Sequence, residues 1–145
     1  MEAMMKRVIA IAVLLFTAAS TYACRPPYLE YNAVFEPGSA RLSGAEVKRL
    51  ADWRINTRRA FPAGYTVYMF LRQNDSLGIP HQLAEARSRS LTGLLEDLGV
   101  SSKDIERPEV RPTARGHVAA AEEARFFNEV GISINPRCPY ACCER

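Results

Sequence analysis

Apolar and polar residues alternate in two rhythms along this chain, and the changes of rhythm mark its elements. Tyr65 to Leu71 reads YTVYMFL, rich in β-branched and aromatic residues, which predicts a central strand. Arg72 to Pro80 is polar and predicts a loop. Beyond it Leu83, Arg87, Leu91, Leu94 and Leu98 recur at steps of three or four, the spacing of one helical stripe. That helix should start near Pro80 or His81, where proline suits the first turn, and stop at Gly99.

The same reading extends in both directions. Glu30 to Phe35 predicts a short first strand, closed by the turn residues Glu36-Pro37-Gly38. Ser43 and Glu46 have the spacing of a capping box. A helix should run from there to about Ala60, with Val47, Leu50, Ala51, Trp53 and Phe61 on its apolar side. After a polar link, Val100 to Asp104, Ile105 to Val110 predicts a third strand. Pro108 and Pro112 make it short or place it at an edge. Arg115 to Ala124 reads as a short third helix or ordered loop, and Phe126 to Ile134 as the last strand. The order β-α-β-α-β-(α)-β predicts an α/β (α+β) two-layer sandwich with a mixed four-stranded sheet. Parallel neighbours are expected among the first three strands.

Composition refines this picture at the ends. Lys6 and Arg7 precede an apolar run from Val8 to Ala19, and small residues lead to Ala23, the pattern of a secretory signal over residues 1–23. Residues 24–145 then form a single domain, with its core at about 32–134 and a cysteine-bearing tail at 135–145. Removing the signal lowers the formal charge from +3 to +2, too little to argue for nucleic acid. The four cysteines, Cys24, Cys138, Cys142 and Cys143, point to disulfides in an exported chain. Cys24 is expected to join one of the other three, with a small loop closed between Cys138 and Cys142 or Cys143. A lipid on Cys24 is the lesser alternative, because Thr21 and Tyr22 fit a lipoprotein signal poorly. The tail's spacing fits no common zinc pattern, so neither metal nor other cofactor is expected.

The chemistry concentrates at the central strand-loop-helix. Arg87 stands where the leucine stripe reserves a core position. A guanidinium keeps its charge, so it either finds acceptors there or reaches past the stripe to water. Asp75 lies at the C-terminal end of the central strand, where ligands bind in sheets of this kind. The helix that follows offers free N–H groups to an anion. Held near each other, Asp75 and Arg87 would suit a ligand bearing both an ammonium and a carboxylate. A structural salt bridge without a ligand is the plainer reading of the same two residues.

These residues also carry a resemblance. Gly38-Ser39-Ala40-Arg41-Leu42 keeps an S-A-x-L segment after the first strand. Asp75-Ser76-Leu77-Gly78 keeps D-x-x-G after the second, and Leu83 to Arg87 keeps the leucine and arginine of L-S-x-x-R-A. In order and spacing the chain resembles the OmpA-like (OmpA/MotB C-terminal) peptidoglycan-associating domain, as a divergent member, over about residues 32–134. The resemblance implies a non-catalytic module that binds the diaminopimelate of the peptidoglycan stem peptide. It places Asp75 and Arg87 at the ligand, with Asn74 and Gly78 beside them, and it implies a periplasmic or outer-membrane location. The chain departs from the family at Arg72-Gln73, where Gly-His is expected, at Pro80, where Asn is expected, and near Phe127-Asn128-Glu129, where Asn-Arg-Arg is expected. Its loop between Asp75 and Arg87 is also about three residues shorter than the family's. Those departures motivate an alternative, a degenerate fold that binds an envelope protein instead of the cell wall. A thiol-active or metal-binding enzyme built on Cys138 to Cys143 is the third reading. His81 and His117 belong to no metal-like or triad-like set.

Overall fold

A computed structural model describes residues 24–143, and the expected signal at 1–23 lies outside the described residues. The elements are β1 (Glu30–Val34), α1 (Gly44–Ala60), β2 (Tyr65–Gln73), α2 (His81–Asp97), β3 (Glu109–Pro112), α3 (Ala120–Asn128) and β4 (Glu129–Pro136). They form an α+β fold around one four-stranded mixed sheet, ordered β1-β4-β2-β3. The expected parallel contact between the first two strands does not form. β4 returns between them, antiparallel to both, and only β2 and β3 are parallel neighbours. β4 suits the inner position because Val130, Ile132 and Ile134 all turn into the core. β1, with Glu30 and Asn32 turned outward, suits an edge.

The core lies between one face of the sheet and helices α1 and α2. Val67, Met69 and Leu71 of β2 meet Leu50 and Trp53 of α1 and Ala84, Leu91 and Leu95 of α2. The buried line of α2 is therefore Ala84, Arg87, Leu91 and Leu95, about one residue round from the expected stripe. Leu83, Leu94 and Leu98 flank it, half-buried. Phe126 and Phe127, expected to open the last strand, instead end α3. Their adjacent rings meet edge to face at 5.3 Å, Phe127 buried and Phe126 half-exposed.

Each sheet edge has one hydrogen-bonding position blocked. On β3, Thr113 N–H donates to Gln73 O, which turns the odd-numbered residues of β3 toward β2. The backbone groups of Val110 and Pro112 point to the open edge, and the proline has no N–H to offer a further strand. On β1, Phe35 N–H donates to Asn128 O, so Val34 N–H points to the open edge. Glu46 Oε1 accepts that N–H at 3.2 Å, together with Tyr31 O–H at 2.7 Å. Ser43 caps α1 as expected, accepting from Glu46 N–H, but the Glu46 side chain turns inward to the strand instead of completing the box. Glu46 is only 6% exposed, and Arg49 neutralises it at 2.9 Å.

The tail is joined back to the start of the domain. Cys24 bonds Cys142, with Cα atoms 5.5 Å apart, and Cys138 bonds Cys143, with Cα atoms 5.8 Å apart. Both bonds follow the expected arrangement. In this pairing the Cys24 sulfur has no valence left for a lipid. Tyr140 sets its ring edge-on to Phe61, and Arg137 pairs with Asp104, so the tail also packs on the body.

Two stability measurements follow. Replacing Cys24 and Cys142 by serine opens a loop spanning 118 residues of separation and should cost about 4–5 kcal/mol in urea unfolding. Replacing Cys138 and Cys143, only 5 apart, should cost about 2 kcal/mol. Burial and the Glu46 carboxylate push the Tyr31 phenol from 10.0 up to about 12. The unfolded chain loses that proton near pH 10, so the stabilisation is intact below about 10 and is lost between about 10 and 12. Unfolding curves across that window should fall less steeply for Tyr31→Phe than for the wild type.

Candidate functional site

β2 delivers the chain into a compact turn. Asn74 N–H and C=O exchange hydrogen bonds with Ile79, at 2.9 and 3.0 Å, and close the loop over a short 3-10 turn, Asp75–Leu77. Asn74 Oδ1 accepts from Leu77 N–H and Ser76 O–H, while its Nδ2 donates to Thr113 O at 2.8 Å. Gly78 ends the turn at φ +71°, a conformation that favours glycine; no neighbour crowds the position. Asn74 and Gly78, expected beside the ligand, thus shape the loop. Asp75 is exposed, and among the described residues its carboxylate accepts only a long bond from Gln73 Nε2, at 3.4 Å.

Arg87 is 2% exposed and lies on the inner face of α2. Nε donates to Ser39 O at 2.8 Å. Nη2 donates to Glu36 O at 3.2 Å and to Asn128 Oδ1 at 2.7 Å. The Phe35 ring lies 5.3 Å from the guanidinium carbon. No carboxylate is among these partners, so the plain Asp75–Arg87 salt bridge is not formed. Burial pushes the Arg87 pKa down. The guanidinium stays charged, because its intrinsic pKa is so high. Among the described residues the remaining nitrogen, Nη1, makes no hydrogen bond, and the side chain as a whole is among the most fully buried in the fold.

Asn128 enters the sequence reading only as part of a departure from the family pattern, yet it completes this arrangement. Its Nδ2 donates to Ala124 O at 2.7 Å, which aims Oδ1 at Arg87. Its backbone oxygen also accepts Phe35 N–H at 2.9 Å. The signal that could have found it is the arginine itself, since a buried guanidinium requires acceptors from elsewhere in the chain. Arg72 is the second residue missed. Nη1 donates to Phe126 O and Glu129 O, and the guanidinium lies 3.8 Å from the Phe126 ring centre. It clamps the α3–β4 junction that carries Asn128. The other candidates contribute less: His81 sits exposed beside Glu85, and all four cysteines are bonded, which leaves no thiolate nucleophile among the described residues.

No protein-family model matches the sequence, and no curated protein matches it. Solved structures do match. The C-terminal domain of Helicobacter pylori MotB aligns over 74% of this chain and 85% of its own, at 13% identity and a TM-score of 0.58. The OmpA-like domain of FopA1 from Francisella tularensis aligns over 74% and 72%, at 15% identity and 0.55. The cell wall anchor of the T6SS from Pseudomonas aeruginosa aligns over 74% and 81%, at 18% identity and 0.55. At these identities the likeness is one of fold. The chain folds as OmpA-like and MotB C-terminal domains fold, on a sequence far from theirs.

The Arg87 cluster makes a stability prediction. Asn128→Ala removes one acceptor from a buried cation and should destabilise the protein by about 1.5–3 kcal/mol in chemical unfolding. A change within experimental error would show that the amide does not hold the guanidinium.

Proposed function

We propose that the protein is a non-catalytic peptidoglycan-binding module of the bacterial cell envelope, and that it recognises the diaminopimelate of the stem peptide. The observation that carries this reading is the state of Arg87. Two of its nitrogens are fixed by Ser39, Glu36 and Asn128, and the third has no hydrogen-bond partner among the described residues. A guanidinium fixed in this way is pre-organised, so a ligand carboxylate meets a donor already in place. Asp75 belongs to a turn closed by hydrogen bonds, and it offers an exposed carboxylate to an ammonium. The fold shared with a cell wall anchor and with periplasmic domains supports an envelope location. The signal-like residues 1–23 would deliver the protein there.

Sedimentation with purified sacculi tests this proposal. The wild type should pellet with the wall. Asp75→Asn keeps the turn, removes the charge and should weaken binding about tenfold, the scale of one charge-assisted hydrogen bond. A wild type that stays in the supernatant would remove the cell-wall reading and leave a protein partner in its place.

A further inference from the structure

The sheet has a second face, and most of it is uncovered. Tyr65, Val67, Met69 and Leu71 of β2 turn to the helices, so Thr66, Tyr68, Phe70 and Arg72 turn away from them. The strand register sets their neighbours. Asn32, Gly131, Phe70 and Glu109 form one row across the four strands. Glu30, Ser133 and Tyr68 form the next, and Asn135 stands beside Thr66. α3 reaches this face at Arg72, through Phe126, and the rows beyond remain open.

Three features of this face bear on what it could bind. Tyr68 is 36% exposed, one of three large hydrophobic side chains exposed among the described residues. Gly131 keeps the floor between Asn32 and Phe70 low. The fold does not require glycine there: a Cβ would meet only Asn32 Oδ1, in ordinary contact at 3.8 Å, and the backbone needs no positive φ. Finally, the charged side chains of this face have partners among the described residues. Arg25 pairs with Glu30, and Arg111 pairs with Glu109 while lying over the Phe70 ring. Arg72 is bonded to two carbonyls, and Arg125 pairs with Glu129.

A polyanion would find no free cation here, which argues against nucleic acid and anionic lipid. A second copy of the chain would require a larger apolar patch than one tyrosine ring and part of Phe70. A neutral sugar chain fits the chemistry. Its C–H face packs on an aromatic ring, and its hydroxyl and acetamido groups bond to amides and hydroxyls such as those of Asn32, Asn135, Ser133 and Thr66. We propose that this open sheet face, centred on Tyr68 and floored by Gly131, binds the glycan strand of peptidoglycan. The inference rests on the cell-wall reading above and adds a second contact to it, on different elements from Asp75 and Arg87. A linked pair of weak contacts gains by effective concentration.

The test uses 15N-labelled protein with both disulfides formed, titrated with a soluble β-1,4-linked N-acetylglucosamine tetramer, which carries no peptide. The tetramer should shift the amide resonances of Tyr68, Gly131 and Ser133. Tyr68→Ala should weaken it about tenfold, as loss of one stacked ring would. Gly131→Val, which suits a strand and fills the floor, should weaken it at unchanged unfolding midpoint. No shift on this face, with the wild type still pelleting with sacculi, would overturn the platform and leave the stem-peptide reading standing. No shift together with no pelleting would overturn both. Shifts confined to the Asp75 loop, or a concentration-dependent dimer abolished by Tyr68→Ala, would also overturn the platform.

Discussion

A charged guanidinium sits inside this fold, and three parts of the chain are arranged to tolerate it. Arg87 comes from α2, its two carbonyl acceptors from the link between β1 and α1, and its amide acceptor from the last residue of α3. Taking such a charge out of water without acceptors costs several kcal/mol, on the order of a domain's whole stability. Among the described residues no counter-charge offsets it, and the cation is held by dipoles. A leucine at position 87 would have completed the apolar line of α2. It would also have left Ser39 O and Asn128 Oδ1 without their guanidinium donor. The site and the packing of the link, of α3 and of β4 therefore depend on one side chain.

The rest of the architecture follows from how the sheet is ended. β4 runs between β1 and β2, which leaves β1 and β3 as edges. Glu46 occupies the free N–H of β1 from the helix side, and Pro112 removes one from β3. With α1 and α2 on one face, the sheet presents most of its other face to solvent. The disulfides then fix the two ends of the described chain to each other, away from the Arg87 cluster.

Much of this was legible in the chain. The β2-loop-α2 unit was read from its change of hydrophobic period, and Arg87 stood out as a cation on an apolar stripe. The capping role of Ser43 and the edge position of β3 were equally plain, because proline and serine act locally. What was not legible came from partners distant in sequence. Nothing near Glu46 signals that its carboxylate will close β1, 12 residues away. Nothing near Asn128 signals a bond to Arg87 across 41 residues. The insertion of β4 between β1 and β2 is likewise a long-range choice, invisible to local pattern. Phe126 and Phe127 were ambiguous for a different reason: a short apolar pair before an alternating run fits the end of a helix as well as the start of a strand.

Arg87 is held by the protein at two nitrogens, and the proposed function requires the third to meet a ligand. An NMR titration with a diaminopimelate-containing stem tripeptide, observing the Arg87 guanidinium and the Asp75 amide, tests it most directly. The account predicts saturable shifts at both, with the Arg87 Nε–H still protected from exchange by Ser39 O. Shifts that leave both residues unmoved, or a guanidinium in fast exchange with water before any ligand is added, would contradict it.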